Sequence, residues 1–147
     1  MTEAQASQTR ATLKDLYGAY REGNAERIAA LIDEDIDWCI YGPARVFPFE
    51  GPRRGKAQVI DVLAAIGAQY ELKRHDQEIM VVEGERAAVL SQAAFVQRAT
   101  GRTLSMRLIN FVRVRDGRIV EFREFSDTFD VVEQAAGTWS QVPVIPA

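Results

Sequence analysis

Residues 72–126 hold four long runs of alternating apolar and polar side chains, divided by Gly84, Thr100-Gly101 and Asp116-Gly117. A period of two gives each run one apolar face, and the dividing residues supply the positive backbone angles of tight hairpin turns. The runs at 72–83, 86–99, 102–115 and 118–126 are therefore predicted to form one antiparallel, twisted meander. The last run closes on Arg123-Glu124-Phe125-Ser126-Asp127, which sets a carboxylate where the strand stops, at the expected rim of a pocket.

The first half of the chain follows a different period. Leu13, Leu16, Tyr17 and Tyr20 are spaced i, i+3, i+4, i+7 and gather on one helical stripe. Gly23 ends that helix and Asn24 caps the next, whose inward residues are Ile28, Leu31 and Ile32, so the two form a helical hairpin. Residues 36–41 alternate, with Ile36, Trp38 and Ile40 on one side: a first strand. A Gly- and Pro-rich loop at 42–55 carries Phe47-Pro48-Phe49, an aromatic pair placed to overhang a pocket. Val59, Ile60, Leu63, Ile66 and Tyr70 then mark a third helix. The tail after Gly137, with Trp139, Pro143 and Pro146, is predicted to be non-helical and to lie across the body or a partner.

A chain of 147 residues fits one domain spanning 1–147. A formal charge of -3 gives no electrostatic reason to bind nucleic acid or an anionic membrane. No run approaches the length that spans a bilayer, and residues 1–11 lack an apolar signal core. One cysteine and one histidine supply neither a disulfide nor a zinc site, so no metal and no cofactor is expected, and a reducing cytoplasm suits the chain.

The order of two helices, a strand, a third helix and a four-stranded meander resembles the nuclear-transport-factor-2-like superfamily, within it the SnoaL-like and ketosteroid-isomerase-like proteins. The resemblance covers about residues 9–136. It is carried by residues 20–24 and 31–38, by Phe47-Pro48-Phe49-Glu50-Gly51 with Arg54-Gly55-Lys56, and by Asp116-Gly117-Arg118-Ile119 leading to residues 123–127. It implies an α+β cone: a curved antiparallel sheet covered by three helices from the N-terminal half, enclosing an apolar cavity with one mouth. Homodimers through the outer face of the sheet are common among such proteins.

Steroid isomerases of this type use a carboxylate base on the first strand, a tyrosine and a protonated aspartate. Laid over that pattern without gaps, this chain has Ile40 at the base, Leu16 at the tyrosine and Asn110 at the aspartate. Only Asn110 retains a donor, its amide. Limonene-epoxide hydrolase has a similar closing strand, but the stretch that should bring its arginine and second aspartate reads Ser91-Gln92-Ala93-Ala94 here. SnoaL-type polyketide cyclases use a strand-end aspartate as acid/base, and Asp127 matches that role.

Asp127 has two readings, a functional carboxylate or the cap of a helical segment at 128–136. Asn110 shares parity with Met106, Leu108 and Val112, so a ligand or a side-chain network has to satisfy its amide. Glu124 shares parity with Val120 and Phe122 and points inward, with a raised pKa if buried. His75, between Arg74 and Asp76, reads as a surface or interface histidine rather than an acid/base. The opposite face of the third meander strand, Arg107, Ile109, Phe111 and Arg113, suits solvent or a dimer contact.

The expected function is binding of a small lipophilic or aromatic molecule in the cavity, with Tyr17, Tyr20, Trp38, Ile40, Phe47, Phe49, Met106, Leu108, Phe122 and Glu124 around it. For cofactor-free isomerisation, cyclisation or hydration, Asp127 is the expected base and Asn110 the group that polarises a carbonyl. The alternative is a ligand-binding or dimerisation module without chemistry.

Overall fold

A computed structural model describes residues 2–138 and 144–147. Helix α1 (Glu3–Glu22) starts where the Thr2 side chain accepts from the Gln5 N–H at 3.1 Å and stops at Gly23, whose φ of 67° is left-handed. Asn24 accepts from the Arg27 N–H and begins α2 (Ala25–Leu31) at once. Strand β1 (Ile32–Ile40), β2 (Gly51–Arg54), α3 (Lys56–Gln69), β3 (Tyr70–Glu83), β4 (Arg86–Gln97), β5 (Thr103–Arg115), β6 (Arg118–Ser126) and α4 (Thr128–Ala136) follow.

The six strands form one curved, unclosed sheet in the order β2-β1-β6-β5-β4-β3. The meander is antiparallel as expected, and Asp116 and Gly117 both take positive φ in its last hairpin. Strand β1, however, pairs with β6 in parallel, because the chain runs from β1 through α3 and the meander before it returns. Strand β2 lies inside the stretch read as loop, and antiparallel to β1. Ile32, read as helical, is the first residue of β1, and Tyr70, read as the end of the third helix, is the first of β3. A fourth helix, α4, completes the capped segment after Asp127. The expectation for the tail falls largely on residues 139–143, outside the described residues, while 144–147 are exposed.

Bulges decide which face of each strand turns inward. In β3 the register passes from Leu72↔Phe95 to Arg74↔Ala94, leaving Lys73 as an extra residue, and from Gln77↔Ser91 to Ile79↔Leu90, leaving Glu78 extra. The first bulge swings His75 and Gln77 inward, and the second turns Met80 and Val82 in and Ile79 and Val81 out. Val120 is the extra residue of β6, so Ile119 is buried in its place.

Two apolar clusters result. The larger joins Leu13, Ile36, Val59, Val89, Val112, Val114 and Ile119 under α1 and α3. The smaller gathers Phe47, Tyr70, Leu104, Val131 and Ala135 beneath α4.

Candidate functional site

Where the clusters meet, the sheet and helices leave a partly enclosed cavity of about 130 Å³. That is close to the volume at which a dry apolar cavity of about 150 Å³ admits a benzene-sized guest. All ten residues expected around a ligand line it, Tyr17, Tyr20, Trp38, Ile40, Phe47, Phe49, Met106, Leu108, Phe122 and Glu124. Its rings form two groups: Trp38 stacks on Phe122 at 4.1 Å, and Phe47, Phe49, Tyr70 and Phe95 follow one another in a second set of contacts.

A hydrogen-bonded chain crosses this wall. Asn110 sits opposite Glu124 in the β5–β6 ladder, so both side chains rise from the same face. Tyr17, one turn before the end of the buried stripe of α1, donates its hydroxyl to Asn110 Oδ1 at 2.9 Å, and Asn110 Nδ2 donates to Glu124 Oε1 at 3.0 Å. The amide, 1% exposed, is therefore satisfied by side chains and holds Glu124 in place. Glu124 is half-buried and lines the cavity. Burial pushes its pKa up to about 7, against the lowering effect of the Asn110 hydrogen bond. Burial and the charge of Glu124 also raise the Tyr17 and Tyr20 hydroxyls well above the ordinary phenol value.

Two further cavity groups are not apparent in the sequence. Glu50, 7% exposed, is raised to about 7, first by burial and then by the charge of Glu124. Among the described residues its Oε2 has no hydrogen-bond partner, and neither has the indole Nε1 of Trp38. The Glu50 carboxylate lies where a Cβ on residue 42 would stand, 1.6 Å from Oε2, so only glycine at position 42 admits it. The signal was a single carboxylate beside the aromatic pair of a Gly-rich loop, which parity cannot place because the loop has none. The second group is His75, 5% exposed and packed on the rings of Tyr17 and Tyr20, which corrects the surface reading. Burial, then the charge of Arg21, lowers its pKa to about 4, and its Nδ1 faces Gln77 Nε2 at 2.9 Å. The bulge at Lys73 is the reason, and no sequence signal announces it.

Asp127 stands apart from these groups. It is exposed, lies outside the cavity lining and caps α4 by accepting from the Asp130 N–H at 3.1 Å. Of its two readings, the cap is the one that the geometry supports. Its neighbour on the strand, Glu124, is the carboxylate that reaches the interior.

Among the described residues no cluster of three His, Cys, Asp or Glu side chains is arranged to hold a metal ion. No helix among them is long and apolar enough to cross a membrane.

Comparison with curated proteins gives no match. Among solved structures, a protein of Rhodopseudomonas palustris provisionally named an isomerase is 35% identical over 93% of this chain and 99% of its own, with a TM-score of 0.78. An NTF2-like protein of Burkholderia xenovorans is 26% identical, covering 88% of this chain and 96% of that one, at a TM-score of 0.76. IdmH of Streptomyces antibioticus, provisionally named a polyketide cyclase, is 26% identical over 88% of this chain and 99% of its own, at 0.72. The model of the SnoaL-like domain matches residues 13–122, which takes in Tyr17, Asn110 and the aromatic wall, and on that match the chain belongs to the SnoaL-like domain family.

Proposed function

We propose that the chain is a cofactor-free acid/base enzyme, an isomerase or cyclase acting on a small, largely apolar carbonyl compound held in the cavity. The observation that carries this reading is the Tyr17–Asn110–Glu124 chain, which fixes a carboxyl of pKa about 7 against an aromatic wall. A general base works best when its pKa lies near the working pH. In this reading Glu124 breaks a C–H bond next to the carbonyl, holds the proton on its carboxylate and returns it to another position of the enolate. The unpartnered Trp38 Nε1–H supplies a donor for the oxygen on which negative charge develops. The solved relatives named for isomerase and cyclase activity support the reaction class.

The test is deuterium uptake at the α-carbon of small cyclic ketones and 1,3-diketones, followed by NMR. Glu124→Gln is expected to lose about 100-fold or more of the exchange rate, while Asp127→Asn keeps it. Full exchange in Glu124→Gln would remove the proposed base. One observation favours the non-catalytic alternative: Ile40, the residue that the sequence overlay sets at the base of steroid isomerases, is an apolar part of the cavity wall. Ligands that shift the melting temperature yet never exchange or turn over would decide for it.

For the assembly we infer a homodimer through the outer face of the sheet. Ile79, Val81, Ile109, Phe111 and Phe125 are 40–61% exposed there, an apolar area that a second copy would cover. Sedimentation of the wild type as a monomer at micromolar concentration would contradict it.

A further inference from the structure

We propose that the natural occupant of the cavity is a lipophilic cation, an ammonium group on a small apolar skeleton, and that Glu50 is its anchor. This rests on the reading that the cavity is the functional site, and it adds the charge class of the ligand.

The charge inventory of the wall is one-sided. Its ionisable members are Glu50, Glu124, His75, Tyr17, Tyr20 and Tyr70, and no Lys or Arg is among them. The tyrosines are held in the neutral form by burial, and His75 is neutral at any pH well above 4. Formal charge in the cavity can therefore only be negative. Arg53, three residues on from Glu50, donates to main-chain oxygens of Pro48, Glu50 and Pro52 rather than to the carboxylate. Glu124 has its amide donor, whereas Glu50 Oε2, in a residue more than nine-tenths buried, has none among the described residues.

A buried carboxylate without a partner is costly, and a ligand that brings a charged N–H removes the cost. The rest of the wall suits the same guest. Tyr17, Tyr20, Trp38, Phe47, Phe49 and Phe122 turn rings toward the cavity, and ring faces attract ammonium. A carboxylate-bearing ligand would meet two like charges and no counter-ion. A neutral one leaves the Glu50 carboxyl without a counter-charge. An ammonium at Glu50 lets that carboxyl ionise, so binding has to release a proton to solvent near neutral pH, where the pair is partly protonated. Glu124 stays free to exchange a proton with the bound molecule.

The experiment is titration calorimetry with benzylamine, benzyl alcohol and benzoate, three probes of one size and different charge, each in two buffers of different ionisation heat at about pH 7. Benzylamine is expected to bind at least about tenfold more tightly than benzyl alcohol and to release protons, with benzoate weakest. Glu50→Gln should abolish the preference of benzylamine over benzyl alcohol. Gly42→Ala, which pushes the Glu50 carboxylate from its seat, should weaken benzylamine selectively. Benzyl alcohol bound as tightly as benzylamine, or benzylamine bound without proton release, overturns the cation assignment and leaves the cavity reading in place. Failure of all three probes to bind overturns both.

Discussion

Strands β5 and β6 carry two surfaces whose residues alternate one by one. Asn110 and Glu124 face inward and are paired with each other, while Ile109, Phe111 and Phe125 face outward and are 40–52% exposed. The inner surface is polar where polarity is costly, and the outer is apolar where water is available. The contrast teaches that in this hairpin the deviations from simple patterning mark use. Desolvation shifts pKa values on one side, and on the other the rings are left uncovered.

The largest expected effect comes from removing the inner pairing. Asn110→Leu leaves both the Tyr17 hydroxyl and the Glu124 carboxyl without their partner, and should cost about 2–4 kcal/mol in urea unfolding. A cost below about 0.5 kcal/mol would mean that the chain of bonds does not organise the site.

A second test uses pH. Glu50 and Glu124 titrate near 7 in the folded chain and near 4.5 when unfolded, so the native state binds their protons more tightly. Their effect is absent below the unfolded value, grows as a penalty from about 4.5 up to about 7, and is constant above that. Glu50→Gln should therefore gain stability relative to wild type at about pH 8, on the order of 1–3 kcal/mol, and show little of that gain at about pH 4. His75 runs the other way. Its native pKa near 4 lies below its unfolded value, so its contribution is full above about 6.5 and is lost as pH falls toward 4. If thermal unfolding of wild type and Glu50→Gln differs by the same amount at both pH values, the inner face is not desolvated as described.

At the strand end, Asp127→Ala removes the α4 cap and should cost about 1 kcal/mol. It should leave proton exchange intact, since the side chain lies outside the cavity. The smallest effect on the fold is expected from the outer face: Phe111→Ser should change monomer stability by about 0.5 kcal/mol or less. In analytical ultracentrifugation the same variant should shift the sedimentation coefficient toward the monomer if the outer rings are a contact.

Much of this molecule follows from local pattern. The meander, the inward parity of Asn110, Trp38 and Phe122, the helical stripe that buries Tyr17 and the Gly23–Asn24 junction all depend on periods and caps spanning a few residues, so the sequence by itself determined them. Eight of the ten wall residues follow the same way, because parity and stripe place side chains on a face whatever the partner element is, while Phe47 and Phe49 belong to a loop without a period.

What only the tertiary structure decided is where those periods slip and what meets across the interior. His75 turns inward because Lys73 bulges from β3, and Ile119 replaces Val120 because β6 must keep register with β5 while also pairing in parallel with β1. Glu50 becomes a cavity group because its loop folds its carboxylate against Gly42 and within range of Glu124, a residue 74 positions away. Bulges and loop closures answer to neighbouring strands rather than to adjacent residues, and the pKa of a carboxyl answers to everything packed around it. Neither quantity is local, so neither is written in the spacing of the chain.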